Sequence, residues 1–252
     1  MKKTVRKLYP LIFWLLVWQL LSLCVGQSLL LPSPLSVASR LFRLMSSAAF
    51  WRITALSILR ILAGMLCGVA VGTGFAIMTS FSRVCRELLS PVLTVIKATP
   101  VASFIILVLI WMGRDRLPSF IASLMVIPIV WSNLSAGIAG TDAQLLEMAR
   151  VFGFSGIKTA LRIYLPSVMP YFLSAFRTSL GLSWKAGIAA EVLTLPRGSI
   201  GTELYEAKLY LETTDLFAWT LVVILCSLII EKIIMAAVGR IGSRSAKWEA
   251  DT

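Results

Sequence analysis

Six long apolar stretches punctuate the chain, at about residues 8–26, 53–80, 88–112, 118–139, 168–193 and 216–238. Each is long enough, or nearly so, for an α-helix to cross a hydrocarbon core about 30 Å thick. In lipid the backbone must satisfy its own hydrogen bonds, so such runs predict helices. A closed β-barrel would need ten-residue segments of alternating polarity, and none are visible. The pattern predicts an all-α integral membrane protein of about six transmembrane helices, with residues 1–252 forming a single transmembrane domain. The first stretch follows Lys2, Lys3, Arg6 and Lys7 and so resembles a signal peptide. It is long for a signal core, which favours an uncleaved first span.

In the second stretch Gly64, Gly68 and Gly72 recur every four residues, with Arg60 one turn earlier on the same ridge. Such a small-residue ridge lets a second helix backbone approach closely, and packing is the plainer reading than a direct part in a pathway. Between the first two spans, Leu31-Pro32-Ser33-Pro34 makes an extended stop. The mixed apolar and basic stretch after it, 35–50, suits an amphipathic helix at the outer interface.

Composition supports a membrane chain: 58% of residues are hydrophobic and 14% charged, against about 25% charged in a soluble domain. The formal charge of +12 would suggest nucleic acid in a soluble protein, but the basic residues fall mostly between apolar runs, where orientation in the bilayer explains them. With the N-terminus in the cytoplasm, the inner segments hold twelve Lys and Arg (Lys2, Lys3, Arg6, Lys7, Arg83, Arg86, Arg150, Lys158, Arg162, Arg240, Arg244, Lys247) and the outer segments seven. That bias follows the positive-inside rule and places both termini, and the polar loop 140–167, on the cytoplasmic side. The absence of histidine removes the commonest general base and metal ligand. Cys24, Cys67, Cys85 and Cys226 form no C-x-x-C pair and read as small packing residues.

The loop Thr141–Pro166 carries the most information. Thr141 and Gln144 have the spacing of a capping box, and Leu145, Leu146, Met148, Ala149 and Phe152 give the helix that follows a broad apolar face. Gly153 suits a left-handed stop, Ser155 can cap a second short helix, and Leu165-Pro166 ends that helix before the fifth span. A two-helix elbow with exposed apolar groups in a polar loop implies a protein partner.

Glu147-Met148-Ala149, Gly153 six residues after the glutamate, and Ile163-x-Leu165-Pro166 resemble the EAA loop of binding-protein-dependent ABC importer permeases of the type I fold. The one departure is Met148, where that family usually has alanine. Leu31-Pro32-Ser33-Pro34, Ala98-Thr99-Pro100 and Trp111-Met112-Gly113 extend the resemblance, and Arg177, Gly181, Trp184 and Ala190-Glu191 resemble the sulfonate, taurine and nitrate branch. The resemblance implies a permease subunit in the bacterial cytoplasmic (inner) membrane. Glu147, Met148, Ala149 and Gly153 would dock on a cytoplasmic ATPase, and Ile163, Leu165 and Pro166 would join the elbow to the fifth span. It implies a homodimer with two ATPase subunits and an extracytoplasmic solute-binding protein. ATP and Mg would be bound by the ATPase, with no cofactor on this chain. The nearest phosphate-loop match, Gly153 to Thr159, lacks the Gly-Lys pair and follows no strand.

Arg60, Lys97, Arg177, Lys185 and Glu191 fall inside expected spans, where a charge costs a few kcal/mol or more and so should face protein or water. Arg177, Trp184 and Glu191, spaced by seven, share a helix face. Two readings stand: a basic lining for an anion such as a sulfonate, or snorkelling and internal pairing of Arg177 or Lys185 with Glu191. The outer segment 194–215 could be a gate rim, a landing surface for the binding protein or an ordinary solvated loop. An ion-gradient-driven secondary transporter or channel is the alternative function, although it would more readily carry embedded acidic residues or broken helices in matched halves. An intramembrane enzyme lacks histidine and clustered carboxylates.

Overall fold

The computed structural model describes the backbone of residues 2–250 and the side chains of residues 9–10 and 12–236. The basic side chains at 2, 3, 6, 7, 240, 244 and 247, which weighed in the orientation argument, lie outside the described residues. Eleven α-helices follow one another among the described residues: α1 (Lys2–Val25), α2 (Pro34–Met45), α3 (Ala48–Phe81), α4 (Arg83–Ala98), α5 (Val101–Leu109), α6 (Leu117–Ala139), α7 (Ala143–Val151), α8 (Gly156–Thr159), α9 (Leu165–Thr194), α10 (Ile200–Leu209) and α11 (Thr213–Ala250). A five-residue π-helical turn, Ala160–Tyr164, joins α8 to α9.

By length and apolarity, the helices Ala48–Phe81, Leu117–Ala139 and Thr213–Ala236 can cross a membrane. A fourth span results if α4 and α5 count as one. The expectation of a single helix over 88–112 is corrected here, because α4 and α5 meet at a bend of 104°. Pro100 causes the break. Its ring disfavours the helical conformation in the residue before it, and Thr99 is extended at φ −83°, ψ 129°. The other two expected spans are helical but less apolar. The apolar part of α1 is Ile12–Val25, and α9 is diluted by prolines, serines and the charges at 177, 185 and 191.

The chain divides into two compact units. The first comprises residues 1–58 and 191–226. Its elements are tied by aromatic and polar contacts. Trp18 stacks on Phe217 at 5.7 Å and Phe50 on Trp219 at 5.3 Å. The Trp18 indole donates to the carbonyl of Pro32 at 3.1 Å, and the Thr213 hydroxyl donates to the Leu29 carbonyl at 2.6 Å. Helix α2 starts at Pro34, with Ser33 as its cap, a placement that suits both residues because the proline has no N–H to satisfy. Arg40 on α2 holds Asp215 through two parallel hydrogen bonds, the fork geometry that makes such pairs the stronger ones.

On α10 the Glu203 carboxyl is pushed up from its ordinary pKa, first by burial and then by the charges of Glu206 and Asp215. A raised carboxyl favours the fold at low pH and loses that contribution as pH rises through its folded pKa. Glu203→Gln is therefore expected to raise the thermal unfolding midpoint at pH 8, with the gain shrinking toward pH 4. An equal gain at both pH values would show that the carboxylate charge is not what costs stability.

The second unit comprises residues 59–190 and 227–252. Met65 and Ala76 of α3, Val126, Val130, Trp131 and Leu134 of α6, and Ala175 and Leu180 of α9 form one buried core. Ile105 of α5, Leu117, Ile121 and Met125 of α6, and Ala186 and Ala190 of α9 form another. The Gly64–Gly68–Gly72 ridge of α3 faces α6. A Cβ at Gly64 would lie 2.1 Å from the Ser119 backbone oxygen, one at Gly68 2.6 Å from that of Ser123, and one at Gly72 2.9 Å from that of Ile127. The Ser119 hydroxyl donates to the Arg60 carbonyl at 2.8 Å across the same contact.

Candidate functional site

The elbow between α6 and α9 is built from local signals. Asp142, rather than Thr141, caps α7: its Oδ1 accepts from the Gln144 amide at 2.9 Å. The Thr141 hydroxyl instead donates back to the Gly137 carbonyl at 3.3 Å, so it remains bound to the end of α6 and leaves the cap to the next acceptor. Helix α7 ends in a Schellman turn. The Phe154 amide donates to the Ala149 carbonyl at 2.8 Å and the Gly153 amide to that of Arg150 at 3.1 Å. Gly153 has φ +63°, a conformation that glycine adopts at no steric cost. Ser155 then caps α8 by accepting from the Lys158 amide at 3.3 Å, and Lys158 Nζ lies 3.9 Å over the Phe154 ring.

Leu165-Pro166 does not end a helix. The π turn runs directly into α9, and the Leu165 amide reaches back five residues to the Ala160 carbonyl. A wider turn just before a proline removes the conflict between the ring and the carbonyl one α-turn earlier.

The elbow presents a strongly apolar surface. Val151 is 84% exposed, Phe152 71% and Ile157 76%, with Met148 and Leu145 also exposed. Glu147 and Gly153 are exposed as well, whereas Ala149 is 2% exposed and supports α7 from beneath. Ile163 is buried at the π turn, and Leu165 and Pro166 are exposed on α9. Val151 and Ile157 were not among the residues singled out from sequence. Val151 is the last residue of α7, and Ile157 lies beyond the turn at Gly153.

The charged residues of the spans separate into different environments. Arg177 pairs with Glu231 of α11 at 3.5 Å, which corrects the expected pairing of Arg177 or Lys185 with Glu191. Lys185 is exposed. Lys97 donates to the Ser132 hydroxyl at 2.8 Å, Trp184 is buried, and Arg60 is half-buried. Glu191 is fully buried in the first unit. Its Oε2 accepts from the Ser57 hydroxyl at 2.8 Å and from the Gly201 amide at 3.2 Å. Ser57 in turn accepts from the Ile200 amide at 3.0 Å.

Ile200 and Gly201 open α10, so the carboxylate and the Ser57 hydroxyl each satisfy an amide that has no partner inside the helix, and the carboxylate lies at the positive end of its dipole. A Cβ at Gly201 would lie 2.3 Å from the Glu191 Cβ, so only glycine permits this approach. These contacts make Glu191 a junction of α3, α9 and α10. Glu191→Ala leaves the Ser57 hydroxyl and the Gly201 amide without this acceptor and is expected to cost roughly 3 kcal/mol, whereas Glu191→Gln keeps an acceptor oxygen and costs about 1 kcal/mol. Thermal unfolding in detergent reads the difference; equal losses would contradict this assignment of hydrogen bonds.

Residues 61–247 match the family model described as the binding-protein-dependent transport system inner membrane component. The chain is 32% identical over 200 residues to the putative aliphatic sulfonates transport permease protein SsuC of Escherichia coli, covering 78% of this chain and 75% of that one. It is 28% identical over 208 residues to the Bacillus subtilis protein of the same description, covering 80% and 74%. It is 25% identical over 221 residues to the taurine transport system permease protein TauC of E. coli, covering 85% and 80%. A family match across most of the chain, joined to apolar helices long enough to cross a bilayer, establishes that the chain belongs to the inner membrane components of binding-protein-dependent transport systems, the permease subunits of ABC importers.

Proposed function

We propose that this permease imports a small organic anion of the sulfonate or taurine class and that the α7–α8 elbow couples it to ATP hydrolysis in partner subunits. The observation that carries the coupling is the elbow itself: a short, capped, apolar surface in a polar loop, joined to α9 without a break. Met148, Val151, Phe152 and Ile157 would enter a groove on a cytoplasmic ATPase, Glu147 would border the contact, and Gly153 would hold the turn. Ala149 would act by supporting α7. Ile163, Leu165 and Pro166 would pass the motion to α9, so that closure of two ATPase subunits tips the helices between outward and inward openings. This reading places the elbow and both termini in the cytoplasm, with ATP and Mg on the ATPase.

The substrate class is supported by the sulfonate and taurine permeases to which the chain is similar and by the basic side chains Lys97 and Lys185 on its exposed surface. A second copy of the chain, two ATPase subunits and an extracytoplasmic solute-binding protein complete the expected transporter. ATP-driven uptake into proteoliposomes carrying the whole complex tests the reading. Uptake of alkanesulfonates or taurine, with little uptake of cations, is the expected result; preference for a cation overturns the anion assignment, and uptake driven by an ion gradient without ATP overturns the coupling.

A further inference from the structure

The second unit contains a cavity of about 550 Å³ between the end of α3, the start of α4, α6 and the π turn, within the size range of small-ligand sites. Its lining combines hydroxyls, a basic group and aromatic rings. Thr79, Ser80, Ser90, Ser132 and Ser135 contribute hydroxyls, and among the described residues Arg86 is the one charged group in the lining and no carboxylate joins it. Phe81, Trp131 and Tyr164 supply apolar ring surface.

The hydroxyls are not equivalent. Thr79 has no proton left to donate, since it donates to the Phe75 carbonyl and accepts from the Trp131 indole at 2.8 Å. Ser132 accepts from Lys97 Nζ, which leaves its own proton to donate. Ser135 lines the cavity, and its hydroxyl oxygen is buried with no hydrogen-bond partner, a state that costs free energy and that rotation of the hydroxyl toward a ligand in the cavity would relieve. Arg86 donates from Nε to the Thr79 carbonyl at 2.9 Å and from Nη2 to the Ser80 carbonyl at 3.4 Å. Two of its five N–H groups are thereby used to fix its position, and the others remain available.

We propose that this cavity binds an oxyanionic head group on a short apolar tail, with Arg86, Ser132 and Ser135 as donors and the ring surface taking the tail. The inference rests on the anion-import reading and deepens it, because it places an anion contact on one subunit beside the elbow, at a site open to the surface through exposed Arg86 and Phe81. Tyr164, in the π turn of the elbow, forms the wall of the cavity together with Phe81, the two rings meeting edge to face at 5.6 Å. Movement of the elbow would therefore reshape the site. An alkanesulfonate and an anionic lipid share the required chemistry.

The test measures thermal stabilisation of the purified full-length chain by ethanesulfonate and, in a separate arm, by phosphatidylglycerol, together with ATP-driven uptake by the reconstituted complex. Arg86→Gln is expected to weaken ethanesulfonate binding and raise the uptake KM about tenfold, the scale of one charge-assisted hydrogen bond. Ser135→Ala, which removes only an unpartnered hydroxyl, is expected to weaken binding about threefold and guards against misfolding of the arginine variant. Arg83→Gln, on the exposed partner of Glu87, should change neither value.

Stabilisation by phosphatidylglycerol alone, sensitive to both variants, would keep the oxyanion site, assign it to lipid and overturn the solute assignment. Unchanged binding and KM in both variants would overturn the site while leaving the importer reading intact. Failure of the wild-type complex to take up any anion would overturn that parent reading instead.

Discussion

Replacing Gly64 by alanine is expected to reduce the yield of folded permease severely and to lower its stability by roughly 3 kcal/mol or more, the upper end of the overpacking range. The added Cβ would lie 2.1 Å from the Ser119 backbone oxygen and 2.7 Å from its carbonyl carbon. These are main-chain atoms of α6, so no rotamer change relieves the clash. The helices must part, and the Ser119–Arg60 hydrogen bond and the buried core around Met65 part with them. The control is Gly74→Ala, two positions beyond the ridge, where nothing lies within 4 Å. There the same substitution meets open space and gains about 0.5–1 kcal/mol of helix propensity. Opposite signs at two glycines on one helix, read by gel filtration and thermal unfolding in detergent, would show that close packing and not glycine content sets the effect. A tolerated Gly64→Ala would mean that α3 and α6 do not meet as described.

The second large effect is expected at Gly153. Gly153→Val places a β-branched residue at φ +63° with open space around it, so the cost is conformational rather than steric contact with neighbours. Left-handed geometry costs about 1–2 kcal/mol for ordinary residues, and β-branched ones are worse placed. The Schellman turn should open, changing the angle between α7 and α8 while the helical cores are left intact. The expected result is a folded chain with transport reduced at least tenfold and weakened retention of the ATPase, on the scale of 1.4 kcal/mol per factor of ten. Gly156→Ala, also in open space but at an ordinary helical position, should transport normally. Normal transport by Gly153→Val would separate the turn from coupling.

The elements most legible in the sequence were those fixed by local chemistry. The apolar runs gave the helices, the stretch after Leu31-Pro32-Ser33-Pro34 the amphipathic α2, and Gly153 and Ser155 the turn and cap of the elbow. Errors arose where a distant or competing partner decided the outcome. The run at 88–112 reads as one apolar stretch despite Lys97, yet Pro100 folds it into two helices at 104°. Thr141 has the right spacing for a cap but bonds back to α6, and Asp142 takes the role. Arg177 reaches Glu231, 54 residues on, and Glu191 reaches Ser57, 134 residues back. Helical spacing places Arg177 and Glu191 on one face of α9. A shared face makes neighbours of side chains three or four residues apart, not fourteen.

The elbow's exposed surface was only partly visible for a related reason. Periodicity ranks Leu145, Leu146, Met148 and Phe152 as one apolar face, whereas Val151 at the end of α7 and Ile157 beyond the left-handed turn add to the exposed surface. The cavity at Arg86 was not legible at all. Its lining comes from α3, α4, α6 and the π turn, and its hydroxyl residues are individually ordinary for a helix bundle.

The most direct test of the account is a photo-crosslinker placed at Phe152 in the intact complex, activated in inverted membrane vesicles that expose the cytoplasmic face. A covalent adduct between this chain and the ATPase subunit, lost with Gly153→Val, is the predicted result. Adducts formed only with the extracytoplasmic binding protein, or labelling of position 152 only from the outer face, would contradict it.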